Sequence, residues 1–304
     1  MMRKAVKYGI FAFAGMVLLA DLVIAYPAVA MMGLYAVGRS GNCDATSALH
    51  SWDNIRLRAE TIGRNMKLVK KLGEEGPLSL WQTPAGDYWV PTRDGKGFVP
   101  LISEQEMRVY EKVLPGEVVI DAGANIGDFT RAALEDGAKL VVAIEINPET
   151  ILALRRNLAK EIEEGRVIVY TKGVWDSEGE LALQAGAASG IDSLIPRADL
   201  HPSTMVKLTT IDKIAAELDL PPVDVIKLDV EGAEIRAVRG ATEVIRRSRP
   251  RLAFDGEQFT ADDISTLNRE LQSLDPAYRM TPSVCIYFHA ERRLRTDVVR
   301  YRAR

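Results

Sequence analysis

An acidic residue ends an apolar run and is followed within six positions by two glycines, a pattern suited to ligand binding. The run at 118–120 ends at Asp121, and Gly123, Asn125 and Gly127 follow it. A short β-branched run of this kind indicates a buried parallel strand. The glycine turn between such a strand and a helix is where an open α/β sheet usually binds its ligand. We therefore expect Asp121, at a solvated strand end, to bind a ligand together with Gly123, Asn125 and Gly127.

The spacing of these residues decides between two kinds of cofactor. A dinucleotide site typically has the pattern G-x-G-x-x-G, because the pyrophosphate must approach the backbone and the helix N-terminus. The pattern here is D-x-G-x-x-x-G, with a carboxylate where that anion would arrive. A carboxylate attracts a cation, and S-adenosylmethionine carries a sulfonium and an ammonium but no phosphate. The spacing therefore predicts a site for S-adenosylmethionine.

A second strand-end acid strengthens this prediction. Glu145 ends the apolar run at 140–144, just over twenty residues after Asp121. An acid at this place accepts hydrogen bonds from ribose hydroxyls in folds of this kind, so we expect Glu145 to bind the ribose. Asn147 and Pro148 then begin a helix as N-cap and first-turn residue. We include Asn147 with Glu145 among the cofactor-binding residues.

If this ligand donated its methyl group to an alcohol, the reaction would require an aligned acceptor and a group that removes the hydroxyl proton. Asp229 ends the apolar strand predicted at 223–229 and is our first candidate for this base. The alternative is that Asp229 caps the helix that follows. From spacing alone, Glu231 and Glu234 are better explained as helix caps than as bases, and Lys227 has no catalytic role beyond pairing with an acid.

Three other interpretations remain open. Asp229 with Asp255 or Glu257 is placed to hold a divalent metal that activates the acceptor, although the main interpretation includes no metal site. A nicotinamide oxidoreductase is disfavoured by the glycine spacing. A membrane-tethered binding module without activity is disfavoured by the intact loop at 121–127 and by Glu145.

The elements that position these residues alternate between strands and helices. A length of 304 residues allows one large or two modest domains with ample core. Strands are predicted at 118–121, 140–145, 167–170, 180–183, 223–229, 251–255 and 283–289, a hairpin at 78–92, helices at 103–114, 211–218 and 262–273, and a flexible loop over the site at 185–204. The helix at 103–114 is predicted from a capping box of Ser103 and Glu106. This order indicates an α/β fold.

The N-terminal segment is strongly apolar. Between Lys7 and Arg39 the only charged residue is Asp21, and the run at 8–38 exceeds the ~20 residues that span a bilayer. We expect a membrane anchor at 1–42, as a span or a hairpin; a cleaved signal peptide is the alternative. The flanking basic residues are balanced, so orientation follows from the cofactor, which is made in the cytosol. We therefore expect a membrane protein whose catalytic part is cytosolic.

Residues 43–102 are predicted to lead from the anchor into a domain at 103–304. They include a basic amphipathic helix at 48–72, which faces either anionic lipid or solvent. A net charge of −3 gives no reason to expect a nucleic-acid partner. Cys43 and Cys285 lie so far apart in sequence that we expect no disulfide framework, which is compatible with a reducing compartment.

Four stretches of the chain are similar to a known family. They read VVIDAGANIGDFT, AIEINPE, GVWDSEGELAL and, most specifically, VDVIKLDVEGAEIRAVRGA. In these motifs the chain resembles the FkbM-type family of S-adenosylmethionine-dependent methyltransferases over residues 103–257. The resemblance implies a class I, Rossmann-like sheet of seven mostly parallel strands with helices on both faces. It also implies O-methylation of a hydroxyl on a glycan, lipid or natural product.

The resemblance also implies roles for single residues. Asp121, Gly123, Asn125 and Gly127 would hold the methionine part of the cofactor, Glu145 the ribose and Asp176 the adenine amine; Asp229 and Glu231 would be the catalytic residues that face the donor methyl and the acceptor. One departure concerns the acceptor side. The fifth strand continues from Asp255 to Gly256 and Glu257, where the family pattern has Glu followed by His or an apolar residue.

Overall fold

The structure is a computed structural model that describes residues 27–41, 43–256, 259–281, 285–288 and 292–303. These residues divide into two compact units. The smaller unit contains the described residues between 27 and 57 and between 285 and 297, and the larger unit contains 58–281 and 298–303. The C-terminal segment 285–297 thus belongs with the N-terminal part of the chain and not with the main sheet.

The helices and strands follow in chain order. The helices are α1 (Pro27–Ala36), α2 (Ala45–Leu68), α3 (Val99–Glu106), α4 (Asp128–Glu135), α5 (Pro148–Asn157), α6 (Ala159–Glu163), α7 (Ile211–Glu217), α8 (Glu234–Arg239), α9 (Thr242–Ser248) and α10 (Ala261–Leu274). The strands are β1 (Lys70–Glu75), β2 (Leu78–Thr83), β3 (Gly86–Pro91), β4 (Val118–Ala122), β5 (Leu140–Ile144), β6 (Val167–Tyr170), β7 (Gly173–Val174), β8 (Gly179–Ala185), β9 (His201–Thr209), β10 (Val225–Leu228), β11 (Arg251–Asp255), β12 (Tyr278–Thr281), β13 (Cys285–Phe288), β14 (Arg293–Thr296) and β15 (Val298–Ala303). Short 3₁₀ turns lie at Thr92–Asp94 and Ser189–Ile191.

Among the described residues, seven strands form the main sheet in the order β12-β15-β11-β10-β4-β5-β6. The five strands from β11 to β6 are parallel, whereas β15 runs antiparallel to both of its neighbours. This confirms the predicted α/β fold with a mostly parallel seven-stranded sheet. The strand predicted at 283–289 is not part of this sheet: its described residues form β13, which pairs with β14 in a separate two-stranded sheet. The strands β12 and β15 complete the main sheet instead.

Helices cover both faces of the main sheet, and the alternation along β4 shows why. Ile120 packs in a cluster with residues of α7, α8, α9 and α10. Val119 points to the opposite face, where it packs with Phe129 and Ala133 of α4. Successive strand residues alternate between faces, so a strand that is apolar throughout requires cover on both sides.

A glycine allows two loops to meet at the carboxyl edge of the sheet. Gly123 follows β4 with a φ of 76°, and a Cβ at this position would lie 1.8 Å from the carbonyl oxygen of Asp229, which follows β10. Any side chain here would force the loops apart. The predicted importance of Gly123 therefore has a steric reason, since the loops after β4 and β10 pass each other only at a glycine.

Several predicted elements differ from those observed around α3. The helix predicted at 103–114 is instead α3, which begins at Val99 because Pro100 suits a first helical turn. The predicted capping box is not observed, because Ser103 lies inside the helix and its Oγ donates to the carbonyl oxygen of Val99 at 2.7 Å. The predicted hairpin is confirmed as β2 and β3. The loop predicted at 185–204 contains the turn Ser189–Ile191 and ends in β9.

The helix predicted at 48–72 is α2, but its buried face is not the apolar one. Leu49, Trp52 and Met66 are 45%, 40% and 40% exposed, whereas Ser51 and Asn65 are buried. The Asn65 amide donates to the Ser103 hydroxyl at 3.0 Å, so polar pairing determines this face.

The expectation that the cysteines cannot form a disulfide is wrong. Cys43 and Cys285 are bonded, with their Cα atoms 6.1 Å apart, although 242 residues separate them in sequence. Both are buried in a small cluster with Met31, Ala48 and Leu294 in the smaller unit. Chain separation alone does not prevent a disulfide, because the fold brings β13 back to the segment at 43.

The anchor predicted at 1–42 falls largely on residues 1–26, which are outside the described residues. From residue 27 onward, the structure contains no described helix that is both long and apolar enough to cross a bilayer. The described part of the anchor is α1, a helix of 10 residues.

The first prediction concerns Gly127, which begins α4 with a φ of 87°. A Cβ there would lie 2.8 Å from the Cδ1 atoms of both Leu154 and Leu158. We expect Gly127→Ala to lower the free energy of unfolding by about 2–4 kcal/mol, since the left-handed backbone and overpacking both contribute. Gly116→Ala is the matched control: Gly116 has the same φ of 87° but no atom within 4 Å of the added Cβ. Urea denaturation of both variants measures the difference, and equal losses would show that the contact with Leu154 and Leu158 is unimportant.

Candidate active site

A cleft lies at the carboxyl ends of β4, β5 and β10, at the edge where the sequence predicts a site. The space within it, including the part that is open to solvent, is about 620 Å³. Five of the predicted residues line it: Gly123, Asn125, Glu145, Asp229 and Glu231. The structure therefore brings together residues from three separate loops, which extend over more than one hundred positions of the sequence, from Gly123 to Glu231.

Glu145 is held rigidly by backbone groups. Its Oε1 accepts hydrogen bonds from the backbone N–H groups of Ile146 at 2.6 Å and Asn147 at 2.8 Å, and its Oε2 accepts from that of Asn125 at 2.9 Å. Burial raises the pKa of Glu145, although these three hydrogen bonds act in the opposite direction. The carboxylate thus keeps a fixed orientation in the cleft and retains lone pairs for a ligand.

Asn147 contributes to the site indirectly. Its side-chain oxygen accepts from the backbone N–H groups of Glu149 at 2.8 Å and Thr150 at 3.3 Å, which confirms its predicted role as the N-cap of α5. Its side chain does not line the cleft. Through its backbone N–H it orients Glu145, so contact between Asn147 and a cofactor stays a prediction.

Asn125 presents a buried acceptor without a partner. It adopts a φ of 47°, and its Oδ1 makes no hydrogen bond within the described protein. Buried amide oxygens are nearly always satisfied, so an unpaired one in a cleft favours a ligand with an N–H donor. The ammonium of S-adenosylmethionine provides such a donor. The lining residues therefore fit this cofactor.

Asp121 is not at a solvated strand end, and that expectation is wrong. Its side chain is fully buried and does not line the cleft. Its Oδ1 lies 3.3 Å from the ammonium of Lys227, and its Oδ2 accepts from the Thr130 hydroxyl at 2.6 Å. The cause is the strand register, which places Lys227 of β10 beside Asp121 of β4. Direct contact of Asp121 with a cofactor is not supported by this geometry.

Lys227 is the buried centre of the polar network beneath the cleft. Its ammonium also lies 3.4 Å from Oδ2 of Asp229 and donates to the carbonyl oxygen of Gly123 at 2.7 Å. Burial favours the neutral amine, but the carboxylates of Asp121 and Asp229 outweigh it, so the pKa of Lys227 is raised. Sequence reasoning gave Lys227 no role beyond pairing with an acid. The structure shows that it contacts two acids and a backbone carbonyl.

Asp229 lines the cleft, with its side chain 24% exposed. Its Oδ2 accepts a hydrogen bond from the hydroxyl of Tyr110 at 2.9 Å. The alternative that Asp229 caps the next helix is not observed, because the carboxylate of Glu234 accepts the backbone N–H groups of Val230 at 3.1 Å and Gly232 at 3.3 Å. Asp229 is thereby left to face the cleft.

Glu231 also lines the cleft, with a left-handed φ of 52°. Burial and the nearby Asp229 raise its pKa to about 7, against the opposing effect of Arg197, whose guanidinium lies 3.0 Å from its Oε2. A carboxyl with this pKa exchanges protons near neutral pH. This is compatible with the predicted acceptor-side role of Glu231, and its position two residues after Asp229 places both on one loop.

Other predicted site residues lie elsewhere. The Asp176 carboxylate accepts from Arg236 at 2.5 Å and does not line the cleft, and Gly127 packs against α5. Among the described residues no group of three or more metal-binding side chains is present, and Glu257 of the metal alternative lies outside them.

A segment that follows β8 forms one wall of the cleft, as predicted for residues 185–204. Ser189 and Asp192 line the cleft and are held by the turn after β3. Asp94 accepts from the backbone N–H of Ser189 at 2.9 Å, and Arg93 donates to Asp192 at 2.9 Å. Sequence reasoning missed Arg93, Asp94 and Tyr110, because no local pattern places them near the strand ends.

Two curated relatives are similar in sequence to part of this chain. Hexuronic acid methyltransferase AglP of Haloferax volcanii is 28% identical over 140 residues, which cover 45% of this chain and 55% of that protein. A tRNA (guanine(37)-N(1))-methyltransferase Trm5b of Methanocaldococcus jannaschii is 29% identical over 116 residues, covering 38% of this chain and 34% of that protein. The matched part thus spans about half or less of the length of these curated relatives.

A solved structure shares the fold. The crystal structure of methyltransferase FkbM from Methylobacillus flagellatus KT matches with a TM-score of 0.50 at 18% identity, covering 93% of this chain and 60% of that chain. The profile of the methyltransferase FkbM domain matches residues 121–278, just over half of the chain. The resemblance inferred from the four motifs is confirmed, and the chain belongs to the methyltransferase FkbM domain family.

Proposed function

We propose that the chain is an S-adenosylmethionine-dependent O-methyltransferase that acts on a hydroxyl of a sugar, glycan, lipid or natural product. The observation that carries this proposal is Asp229, a partly exposed carboxylate in the cleft that is oriented by Tyr110 and Lys227. Membership of the FkbM family supports methyl transfer. The relative that is named a hexuronic acid methyltransferase supports a sugar-containing acceptor.

The residues that would hold the cofactor come from the loops after β4 and β5. The fixed carboxylate of Glu145 is suited to accept hydrogen bonds from ribose hydroxyls, and the unpaired Oδ1 of Asn125 is suited to accept from an ammonium. Apolar side chains of Ile146, Val174 and Leu194 also line the cleft and are suited to an adenine ring. When bound, S-adenosylmethionine supplies an electrophilic methyl group.

The residues of the β10 loop would act on the acceptor. The acceptor hydroxyl oxygen forms the new C–O bond as the C–S bond of the sulfonium breaks, and the sulfur keeps that electron pair. Asp229 takes the hydroxyl proton as general base. Because Lys227 stays charged and is also paired with Asp121, it orients Asp229 without competing for this proton.

The charge of the cleft disfavours a nucleic acid as acceptor. Four carboxylates line it (Glu145, Asp192, Asp229 and Glu231), and within the described residues no lysine or arginine does. Phosphate groups are bound by basic side chains and helix N-termini, and the described lining offers no basic side chain for them. A neutral hydroxyl acceptor is therefore better supported than tRNA, despite the similarity to a tRNA methyltransferase.

The membrane anchor at 1–42 and the cytosolic position of the main sheet belong to the same proposal. They are supported by the apolar run at 8–38 and by the cytosolic origin of the cofactor. The Cys43–Cys285 disulfide is of a kind that is commoner in oxidising compartments, so orientation needs a direct test.

We predict that the full-length chain stays with membranes after carbonate extraction, since a bilayer-spanning helix is not released by high pH. In right-side-out vesicles an added protease should leave the sheet intact, and permeabilised vesicles serve as the control. Digestion without permeabilisation would place the sheet on the outer side, and release by carbonate would contradict the anchor.

We predict that Glu145→Gln weakens binding of S-adenosylmethionine about 10- to 100-fold, because the amide replaces an acceptor oxygen by a donor beside backbone N–H groups. Calorimetric titration with the cofactor measures this change. Asp121→Asn is the control: Asp121 is buried outside the cleft, so its loss should lower the free energy of unfolding by about 3 kcal/mol and change the Kd far less. Equal losses of affinity in the two variants would contradict the assignment of Glu145 to the cofactor.

We predict that Asp229→Asn lowers turnover by ~10²–10⁴, because the amide cannot take a proton, while the Kd for S-adenosylmethionine stays within a few-fold. Turnover is measured as transfer of tritiated methyl from the cofactor to a glycan and lipid extract of a strain that lacks the protein. Activity of the parent should survive a chelator; loss with a chelator and recovery with Mg²⁺ would support the metal alternative instead. Near-normal turnover of Asp229→Asn would contradict its role as base.

A further inference from the structure

Tyr110 lies in the segment between α3 and β4 and reaches the strand end of β10. Its hydroxyl donates to Oδ2 of Asp229 at 2.9 Å across 119 residues of sequence. The ammonium of Lys227 lies 3.4 Å from the same oxygen and 5.3 Å from the centre of the Tyr110 ring. Two groups from different elements therefore converge on a single oxygen of the candidate base.

The other oxygen of Asp229 is differently placed. Within the described part of the chain, no hydrogen bond to Oδ1 is formed, and the partly exposed side chain lines the cleft. A hydrogen bond from Tyr110 and the ion pair with Lys227 both hold Oδ2, which restricts the rotation of the carboxylate. Oδ1 is thus the oxygen that is available to a hydroxyl in the cleft.

Tyr110 is itself rigid and remains a donor. Its ring is buried with Val113 and meets Phe129 of α4 edge-on, with ring centroids 6.1 Å apart. Burial and the carboxylate of Asp229 raise the pKa of Tyr110 well above its ordinary value. The hydroxyl therefore keeps its proton throughout the working pH range and donates it to the hydrogen bond at all times.

We propose that Tyr110 is a positioning residue for methyl transfer: with Lys227 it holds Oδ2 of Asp229, so that Oδ1 points to the acceptor hydroxyl. This inference rests on the proposed role of Asp229 as general base. Tyr110 does not touch the acceptor, and the lining of the cleft does not include it. Its contribution is to reduce the orientations that Asp229 samples before the proton moves, which lowers the entropic part of the barrier.

Tyr110 and Lys227 are not redundant. Lys227 is shared among Asp229, Asp121 and the carbonyl oxygen of Gly123, so its position is a compromise among three acceptors. Among the described residues, the hydroxyl of Tyr110 donates to Asp229 alone. Loss of this hydroxyl leaves the charge of the network unchanged and removes only the directional contact.

The test is Tyr110→Phe, which keeps the ring, its edge contact with Phe129 and its position beside Lys227. We expect turnover at saturating S-adenosylmethionine to fall about 10- to 100-fold, with the cofactor Kd and the melting temperature nearly unchanged. The acceptor probe is the same glycan and lipid extract. Tyr301→Phe is the matched control, since Tyr301 is also buried and its hydroxyl donates to Asn268 at 2.8 Å, outside the cleft. Its turnover should equal that of the parent.

A double variant separates positioning from a general loss of stability. If Tyr110 acts through Asp229, adding Tyr110→Phe to Asp229→Asn should lower turnover by less than two-fold further, because the oriented base is already gone. A crystal structure of Tyr110→Phe should show the Asp229 carboxylate rotated relative to the parent.

The outcomes distinguish this inference from the function on which it rests. If Asp229→Asn lowers turnover while Tyr110→Phe keeps full turnover, the positioning role of Tyr110 is overturned and the role of Asp229 as general base remains. Independent, multiplicative losses in the double variant overturn it as well. Full turnover in Asp229→Asn overturns the general base and the positioning role together. If the parent protein does not bind S-adenosylmethionine, the proposed function itself is refuted.

Discussion

A buried ammonium connects the two halves of the candidate site. Lys227 contacts Asp121 beneath the β4 loop, Asp229 on the β10 loop and the carbonyl oxygen of Gly123 between them. Removing such a charge from water costs on the order of several kcal/mol, which only close and well-oriented acceptors offset. The three acceptors must therefore stay where they are. The relative position of the two loops is consequently fixed by the charge and not only by packing.

The geometry of the loops follows from this constraint. Because Lys227 draws the carbonyl of Gly123 toward β10, the backbone after β4 passes within contact distance of Asp229, and only a glycine fits. The next residues then turn so that the backbone N–H of Asn125 meets Glu145 on the neighbouring loop. Each contact fixes the next, from the buried lysine outward to the cleft.

The sequence predicts the fold and much of the cleft for identifiable physical reasons. Strands that are buried on both faces are apolar throughout, and the acids at their ends, Glu145 and Asp229, lie at one edge because parallel strands end together. The role of Asp121 could not be predicted, since whether a strand-end acid faces solvent or a lysine depends on register between β4 and β10. Tyr110 could not be found either, because the helix predicted at 103–114 ends at Glu106, and Tyr110 reaches Asp229 from the segment after it through one long-range hydrogen bond.

The same arrangement separates binding from chemistry. Glu145 and Asn125 are fixed by backbone hydrogen bonds and turn geometry, whereas Asp229 is fixed by Tyr110 and Lys227. The wall at 189–194 is held by a third set of contacts, from Arg93 and Asp94. Under the proposed function, substitutions of Ser189 and Asp192 would change the space for an acceptor, because both residues line the cleft. They would leave the three contacts of Lys227 in place, because Arg93 and Asp94 hold this wall without the lysine.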